Sequence, residues 1–394
     1  MSEWKKVKLG EICERVTSGG TPKANVSSYY NPPTIPWLKT KEVNYCRITE
    51  TENYISEEGL KNSSAKLISP NSVIIAMYGQ GDTAGRVAIN KIPLATNQAC
   101  CNLTIDKSKA DYEFIYYQLC TLYDKLVSLK AGAAQPNLNA RIIKNLEIIM
   151  PSLPIQHRIA TILSRYDSLI ENYQKQIKLL EEAAQRLYKE WFVDLHFPGH
   201  ENTKIVDGVP EGWEKKKLHE IAEVVMGSSP KSEFYNNDKQ GLPFHQGVGS
   251  YGTRFVDDNV YSTSITRLAE PNSILFSVRA PVGRLNITKN KIIIGRGLAA
   301  MNHKDGFQSF LFYMLKERFF MDNIIGNGSI FASISKVELL DQEFIVPPMK
   351  TIKAFESLAS KLDKKIQGVD TQLRLLTEAR DRLLPKLMSG EITV

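Results

Sequence analysis

The feature that most constrains this chain is an internal repeat. Residues 132–192 align with residues 328–388 at a constant offset of 196, without a gap. Asp167 then matches Asp363, and Pro151 matches Pro347. A register kept over that length requires a common ancestor or a common structural role, so the chain is a tandem of two similar parts.

The segments upstream of this alignment repeat too, with small gaps. Trp4 and the lysine-rich run after it resemble Trp213 and its followers at an offset of 209, and Arg86 corresponds to Arg284. The order is the same in both copies, which predicts domain, helix, domain, helix. The predicted boundaries are residues 1–154 for the first domain, 155–198 for the first long helix, 199–349 for the second domain, and 350–394 for the second long helix with a C-terminal tail.

Each repeat contains a long stripe of apolar residues spaced by threes and fours, typical of a helix that packs along another helix. Some forty residues give a rod of roughly 60 Å, too long for the surface of one domain, so we expect the two helices to pair as an antiparallel coiled coil. The alternative is two helices that lie separately on their own domains. Pro385 is expected to kink or stop the second helix, leaving residues 387–394 as a tail. The predicted pairing residues are Ile159, Tyr166, Tyr173, Leu180, Leu187, Leu362, Val369, Leu376 and Leu383.

The two domains show short runs rich in Val and Ile, bounded by Gly, Pro, Asn and Ser, which predict strands. Examples are residues 72–78, 146–150, 274–278 and 291–294. Residues 114–129 and 308–320 have the pattern of amphipathic helices. The predicted fold class is α+β, with two similar globular domains.

Composition narrows the class of protein. Hydrophobic residues make up 42% and charged residues 24% of the chain, as in globular proteins. No apolar run reaches the roughly 18 residues of a membrane span, and no secretory signal follows Met1, so we expect a cytoplasmic protein without a membrane partner. Five cysteines without paired spacing predict buried thiols. Pro198 and Gly199 separate His196 from His200 and prevent the helical spacing of a metal pair, so we expect no metal site.

The formal charge of +7 is unevenly distributed. It is +4 in residues 1–154, zero in both 155–200 and 201–349, and +3 in 350–394. Global charge therefore supports nucleic-acid binding only weakly. Any DNA-binding surface must come from local clustering of basic and polar residues.

Catalytic patterns are few. Asn31-Pro32-Pro33-Thr34 resembles the loop with which DNA adenine methyltransferases hold a flipped base, but Thr34 lacks the ring that would stack on the base. A stand-alone methyltransferase is the alternative that this loop keeps open. The glycines of residues 79–85 predict a turn rather than a dinucleotide loop. No Walker lysine, nuclease cluster or nucleophile–histidine spacing recurs in both copies, so we expect no catalytic residue.

Loops rich in hydrogen-bond donors recur in both domains. Gly, Ser, Thr and Lys suit close contact with phosphates or base edges, Arg can read guanine, and amides can read adenine. The alternatives are solvated arginines at strand entries, and a scaffold that does not contact DNA. The candidate DNA-binding residues are Ser18, Gly19, Gly20, Thr21, Lys23, Lys39, Arg86, Gln135, Asn137, Ser228, Ser229, Lys231, Arg279, Arg284 and Arg296.

Four segments together resemble a known family. They are Gly19-Gly-Thr-Pro-Lys, Gly132-Ala-Ala-Gln-Pro-Asn, Pro151-x-x-Pro-Ile-Gln-His-Arg-Ile and Arg382-Leu-Leu-Pro-Lys-Leu-Met-Ser-Gly-Glu-Ile. With the repeat, they make the chain similar, over nearly its full length, to the specificity subunit of bacterial Type I restriction–modification systems.

The resemblance implies two target recognition domains, each reading one half of a bipartite site in double-stranded DNA, and a coiled coil that sets the spacer. It implies docking of two modification subunits, which use S-adenosylmethionine to methylate adenine, and of restriction subunits that use ATP and Mg²⁺. The chain itself would bind no cofactor. The second copy lacks a counterpart of Gln156 and has Gly-Ser-Ser-Pro in place of Gly-Gly-Thr-Pro, so we expect the two helix starts and the two loops to differ in detail.

Overall fold

The structure is a computed structural model that describes residues 4–130, 137–319 and 333–394. The chain forms two compact units. The first unit contains residues 1–172 together with 373–394, and the second contains residues 173–372. Each unit therefore combines one copy of the repeated domain with parts of both long helices.

The elements follow the order that the repeat predicts. The first copy contains the strands β1 (Lys5–Lys8), β2 (Cys13–Ser18), β3 (Ile35–Leu38), β4 (Arg47–Ile48), β5 (Tyr54–Ile55), β6 (Leu67–Ile68), β7 (Val73–Ala76), β8 (Val87–Asn90), β9 (Leu94–Thr96), β10 (Cys100–Ile105) and β11 (Glu147–Met150), and the helices α1 (Glu57–Lys61), α2 (Tyr112–Thr121), α3 (Tyr123–Ser128) and α4 (Ala140–Lys144). Helix α5 (Leu153–Phe192) follows.

The second copy has the same plan. Its strands are β12 (Ile205–Val206), β13 (Val209–Pro210), β14 (Glu214–Lys217), β15 (Ala222–Met226), β16 (Tyr235–Asn236), β17 (Leu242–His245), β18 (Tyr261–Ser262), β19 (Leu268–Ala269), β20 (Ile274–Ser277), β21 (Leu285–Ile287), β22 (Ile292–Ile294), β23 (Leu298–His303) and β24 (Glu343–Val346), and its helices are α6 (Leu218–Ile221), α7 (Gln308–Phe319) and α8 (Lys336–Leu340). Helix α9 (Met349–Ser389) ends the regular structure.

Equivalent sheets build both copies. A central sheet has the order β2-β10-β7-β8-β4 in the first copy and β15-β23-β20-β21 in the second. A second sheet has the order β5-β3-β9-β6 in the first copy and contains β18-β17-β22-β19 in the second. Strands β7 and β20 are buried along their whole length, as continuous Val and Ile runs predict for strands covered on both faces. The predicted α+β class is confirmed.

The long helices pack against one another within each unit. In the first unit, Ile159 and Leu163, near the start of α5, share a core cluster with Leu387 and Met388, near the end of α9. In the second unit, Tyr188, near the end of α5, contacts Phe355, near the start of α9, with ring centroids 5.8 Å apart. The helices therefore run antiparallel, as predicted. The same cluster contains Phe114 of α2, so α5 also packs on its own domain.

The helix ends differ from the predicted ones. Helix α9 continues through Pro385 to Ser389, so the expected stop near Pro385 and the tail of residues 387–394 are wrong. Leu387 and Met388 are buried, and this packing keeps the last turn helical. Helix α5 ends at Phe192 rather than at residue 198. The cause is Leu195, whose φ of 61° is left-handed, while the N–H of His196 reaches back to the carbonyl of Glu190 at 2.8 Å.

Most of the residues predicted for the helix seam lie at its flanks. The fully or nearly buried positions of α5 include Leu163, Ile170, Ile177, Ala184 and Trp191, which follow one another at intervals of seven. Among the nine predicted pairing residues, Ile159 and Val369 are buried. The remaining seven are half-buried and flank the seam: Tyr166, Tyr173, Leu180, Leu187, Leu362, Leu376 and Leu383.

All five cysteines are free thiols. Burial raises the pKa of Cys13, Cys101 and Cys120 to about 12 in each case. At neutral pH these side chains therefore remain protonated and pack as small hydrophobic groups.

Candidate nucleic-acid interface

The predicted donor-rich loops of the first unit meet at one edge of the central sheet. Strand β2 ends at Ser18 opposite Cys101, and β7 ends at Ala76 opposite Cys100. Backbone hydrogen bonds join the loops that leave this edge: Gly19 N donates to Cys100 O (3.1 Å), Gly20 N to Thr96 O (2.8 Å), Met77 N to Ala99 O (2.7 Å) and Leu138 N to Met77 O (3.0 Å). We call this set, residues 18–23, 77–86, 97–99 and 137–139, the first loop edge.

The second unit repeats this bonding pattern. Gly227 N donates to Leu298 O (2.9 Å), Ser228 N to Ile294 O (2.9 Å), Val278 N to Gly297 O (2.9 Å) and Ile334 N to Val278 O (2.9 Å). Residues 227–231, 278–284, 295–297 and 333–335 form the second loop edge. Both loop edges are therefore fixed by the protein backbone before any ligand binds.

The glycines of these loops serve packing inside the protein. A Cβ atom on Gly19 would lie 2.2 Å from Thr96 O, and one on Gly227 would lie 2.1 Å from Gly295 O. Gly19 and Gly20 are buried, and their N–H groups donate to protein carbonyls. The glycines allow one loop to approach another closely, and the polar contacts available to a ligand come from neighbouring side chains.

Several predicted side chains are exposed along the edges. Ser18, Thr21 and Lys23 are exposed in the first unit, and Ser228 and Lys231 in the second. The Thr21 hydroxyl contacts the side-chain amide oxygen of Gln98. The Ser229 hydroxyl, half-buried, accepts a hydrogen bond from Arg296 N at 3.2 Å.

Two predicted basic residues of the first unit, Arg86 and Lys39, have protein partners. Arg86 donates to Asp82 Oδ1 at 2.5 Å and to Asn44 Oδ1 at 3.0 Å. Lys39, which follows β3, donates to Asn53 Oδ1 at 2.9 Å. Asn137 belongs to the first loop edge, whereas Gln135 lies outside the described residues.

The predicted arginines of the second loop edge lie on two of its loops. Arg279 and Arg296 are exposed, and Arg279 forms an isolated β-bridge with Ser333. The backbone N–H of Arg284 donates to Ser277 Oγ at 2.8 Å. The structure thus brings these arginines to the same sheet edge as Ser228, Ser229 and Lys231.

Sequence reasoning missed Gln98, the counterpart of Arg296. Gln98 lies in the turn before β10, and Arg296 lies in the turn before β23. These strands pair with β2 and β15, the strands that lead into the glycine loops. The offset of 198 that aligns Arg86 with Arg284 also aligns Gln98 with Arg296, so extending that alignment would have found this position.

A buried arginine in each unit was also missed. Arg47 donates to Glu113 Oε2 (2.5 Å) and to Asp167 Oδ2 (2.9 Å), and Tyr117 OH donates to the same Asp167 oxygen (2.5 Å). Arg380 of α9 donates to Asp167 Oδ1 at 2.9 Å. Burial acts to raise the pKa of Asp167, but hydrogen bonds from Tyr117, Arg380 and Arg47 outweigh it and hold that pKa below its usual range.

The second unit has a matching cluster. Arg254 donates to Asp363 Oδ1 at 2.6 Å, Tyr313 OH donates to the same oxygen at 2.7 Å, and the guanidinium lies 3.7 Å from the Phe312 ring centroid. Arg254 corresponds in backbone bonding to Cys46, the residue before Arg47, since Ile89 N bonds to Cys46 O and Ile287 N bonds to Arg254 O. We call the two clusters the arginine clamps; each ties a domain to its long helix.

The second unit contains a Ser–His–Asp arrangement that spacing did not predict. His245 Nδ1 lies 2.7 Å from Ser250 Oγ, and its Nε2 lies 2.9 Å from Asp258 Oδ1. The His245 side chain has no exposed surface. Asn290 also donates to Asp258, and Leu38 takes the place of His245 in the first copy, since Asn97 N bonds to Leu38 O as Gly295 N bonds to His245 O. The arrangement therefore braces the loop that follows β17.

Two further properties concern the described ranges alone. Within them, no group of His, Cys, Asp and Glu is arranged to hold a metal ion. No helix among the described residues is long and apolar enough to cross a membrane.

The chain therefore contains two copies of one α+β domain, each completed by parts of the two long helices. Residues 1–182 and 210–373 match the family described as the Type I restriction modification DNA specificity domain. The chain belongs to this family, which confirms the resemblance found in its sequence.

Relatives match over the whole chain or over half of it. The chain is 31% identical to the Type I restriction enzyme MjaIX specificity subunit of Methanocaldococcus jannaschii, over 100% of this chain and 94% of that protein. It is 28% identical to the EcoR124I/EcoR124II specificity subunit of Escherichia coli, over 50% of this chain and 48% of that protein. The crystal structure of the Type I system S subunit from M. genitalium has a similar fold, with a TM-score of 0.65 at 18% identity, covering 98% of this chain and 96% of that one.

Proposed function

We propose that each unit reads one half of a bipartite target in double-stranded DNA through its loop edge. Helices α5 and α9 would set the spacing of the half-sites and dock two modification subunits. The observation that carries this proposal is the duplication of the loop edge with the same backbone bonding and different exposed side chains. A common frame with different readers is what two unlike half-sites require.

Membership of the specificity family supports a non-catalytic role for the chain itself. In the proposed complex, the modification subunits bind S-adenosylmethionine and methylate adenine, and restriction subunits bind ATP and Mg²⁺. The chain contributes recognition and assembly, binds no cofactor, and acts in the cytoplasm without a membrane partner.

Methylation mapping tests this function. The chain, produced together with its modification subunits, should direct adenine methylation to one bipartite motif, and the chain alone should neither methylate nor cleave DNA. Methyl transfer or S-adenosylmethionine binding by the isolated chain would favour the stand-alone methyltransferase. A complex that methylates no defined motif would refute the recognition role.

Salt dependence tests direct contact with DNA. We infer that Lys231, whose side chain is 82% exposed and whose Nζ lies 3.9 Å from Glu233 Oε1, contacts a phosphate. Replacement of Lys231 with Gln should weaken binding uniformly across sequences and lower the slope of log K against log salt by about one. Lys304→Gln removes the same charge beyond the opposite end of β23 and is the matched control. A scaffold that does not touch DNA would show no salt-dependent binding in any variant.

A further inference from the structure

Gln98 and Arg296 occupy the same position of the same turn. Cys100 N donates to Asn97 O at 3.1 Å, and Leu298 N donates to Gly295 O at 3.0 Å. Gln98 and Arg296 are the second residues of these two turns. Each turn ends at the first residue of a central strand, β10 or β23, and that residue accepts a hydrogen bond from the glycine loop. The two positions therefore correspond in the two units.

Both turns are fixed on two sides. Asn97 N donates to Leu38 O (2.9 Å), and Ala99 O accepts from Met77 N (2.7 Å). In the second unit, Gly295 N donates to His245 O (2.8 Å), and Gly297 O accepts from Val278 N (2.9 Å). The backbone bonds thus point into the protein, while the side chains of Gln98 and Arg296 are exposed.

Arg296 lies between Gly295 and Gly297, so it carries the only side chain of this three-residue segment. A Cβ on Gly295 would lie 2.9 Å from Gln246 Cα, and one on Gly297 would lie 2.4 Å from Gln246 O. The turn can pack this tightly only with glycine on both sides of Arg296. In the first unit, the Thr21 hydroxyl contacts Gln98 instead. A turn held in advance lowers the entropy lost when its side chain binds a ligand.

The residue types at this position indicate base reading. An amide cannot neutralise a phosphate, so a shared phosphate contact does not explain Gln in one copy and Arg in the other. A glutamine amide pairs with adenine through N6 and N7, and a guanidinium pairs with guanine through O6 and N7. Each pairing uses two parallel hydrogen bonds in the major groove.

We propose that position 98/296 selects one base in each half-site: Gln98 reads an adenine in the first, and Arg296 reads a guanine in the second. This inference rests on the proposed function, and it goes further by assigning a base to a residue. Lys23 and Lys231, exposed on the adjacent loops, remain available for phosphates.

Reciprocal exchange tests the assignment. In the complex with modification subunits, Arg296→Gln should change one guanine of the second half-site to adenine in the methylated motif. Gln98→Arg should change one adenine of the first half-site to guanine. Each variant should leave the other half-site unchanged. With the full chain and duplexes that carry single base-pair changes, Arg296→Gln should bind the original site about 10- to 100-fold more weakly.

Controls separate the explanations. Arg296→Lys keeps the charge but loses the planar pair of donors, and should weaken the guanine preference without abolishing it, because an ammonium can still donate to guanine O6 and N7. Lys304→Gln removes a charge far from the turn and should leave the motif unchanged. A motif unaltered by Arg296→Gln, with uniformly weaker binding and a smaller salt slope, would show a phosphate contact and overturn the proposal. A wild-type second half-site without guanine would also overturn it, whereas a wild-type complex with no motif at all would refute the proposed function.

Discussion

Each unit encloses an arginine: the side chains of Arg47 and Arg254 are only 8% and 2% exposed. Removing a guanidinium from water costs several kcal/mol, which carboxylates and hydroxyls must offset. Arg47 meets Glu113 and Asp167, so its charge is compensated from both α2 and α5. The geometry joins three parts of one unit through a single side chain, and an arginine, with five donors in a plane, is suited to this role.

Loss of either arginine should remove the main buried cation from its carboxylates, which keep only their secondary partners: Arg380 at Asp167, Lys91 at Glu113 and Tyr313 at Asp363. We expect Arg47→Met to lower the free energy of unfolding by about 3–5 kcal/mol, and Arg254→Met to have an effect of the same order. Urea denaturation followed by circular dichroism measures the change. Lys41→Met, which breaks the largely exposed pair of Lys41 with Glu52, is the control and should leave the curve unchanged. Equal shifts in Arg47→Met and Lys41→Met would contradict this account of the clamps.

The lowered pKa of Asp167 predicts a pH dependence. A carboxyl whose pKa is lower in the folded than in the unfolded state contributes stability that is fully present above its unfolded value of about 3.9. That contribution is lost as the pH falls through the lowered folded pKa. Asp167→Asn should therefore be less stable than the wild type at pH 7, and the difference should shrink on acidification. Denaturation curves at a series of pH values measure it, and a difference that grows towards low pH would refute the assignment.

At the scale of elements, the two copies begin their domain helices differently. Asp111 caps α2 by accepting from Phe114 N at 2.9 Å, and Gln156 of α5 accepts from Asp111 N at 3.0 Å. The second copy lacks that glutamine. Instead Glu356 of α9 accepts from Ser309 N (3.2 Å) and Phe310 N (2.9 Å) at the start of α7. The sequence difference therefore corresponds to a different way of binding the free N–H groups of a helix end.

Glu356 should consequently act as a helix cap supplied from another element. Glu356→Ala should lower the free energy of unfolding by about 1–2 kcal/mol, because two N–H groups lose their acceptor. Glu356→Gln retains an acceptor oxygen and should cost less. Urea denaturation of the two variants side by side measures the contrast, and equal losses would show that the packing of the side chain, rather than its oxygens, is what matters.

Sequence predicted the elements better than their contacts. The repeat located both long helices to within two residues at their starts, because apolar periodicity and the preceding prolines are local signals. It failed at Pro385, where buried Leu387 and Met388 outweigh a local rule. It also missed the Arg47–Asp167 pair, because the two residues are distant in sequence. It missed the His245–Asp258 pair because that pair occurs in the second copy alone and so does not appear in the repeat. Arg296 could be selected by residue type, but its turn became evident only from the backbone bonds.

At the scale of the whole molecule, each unit is completed by residues from distant parts of the chain. The end of α9 belongs to the first unit, and the end of α5 belongs to the second. Asp167 of α5 binds Arg380 of α9 inside the first unit, so the helix pair is part of the domain core rather than an appendage. Any change in helix length must therefore be made in both helices together, or the seam loses its register.

The helices should act as a ruler for the spacer between half-sites. The test inserts seven residues after Asn172 and seven after Gln372, at the boundaries between the two units along the chain. Each insertion lengthens its helix by about 10 Å and adds about two full turns. The apolar side of each helix therefore still faces the other helix. The methylated motif should then keep both half-sites and gain up to about three base pairs of spacer, at 3.4 Å per base pair. Insertion in α5 alone is the control, and it should lower stability because the seam falls out of register. Methylation mapping of the doubly extended chain measures the spacer, and an unchanged spacer would mean that the DNA, rather than the helix pair, sets the separation.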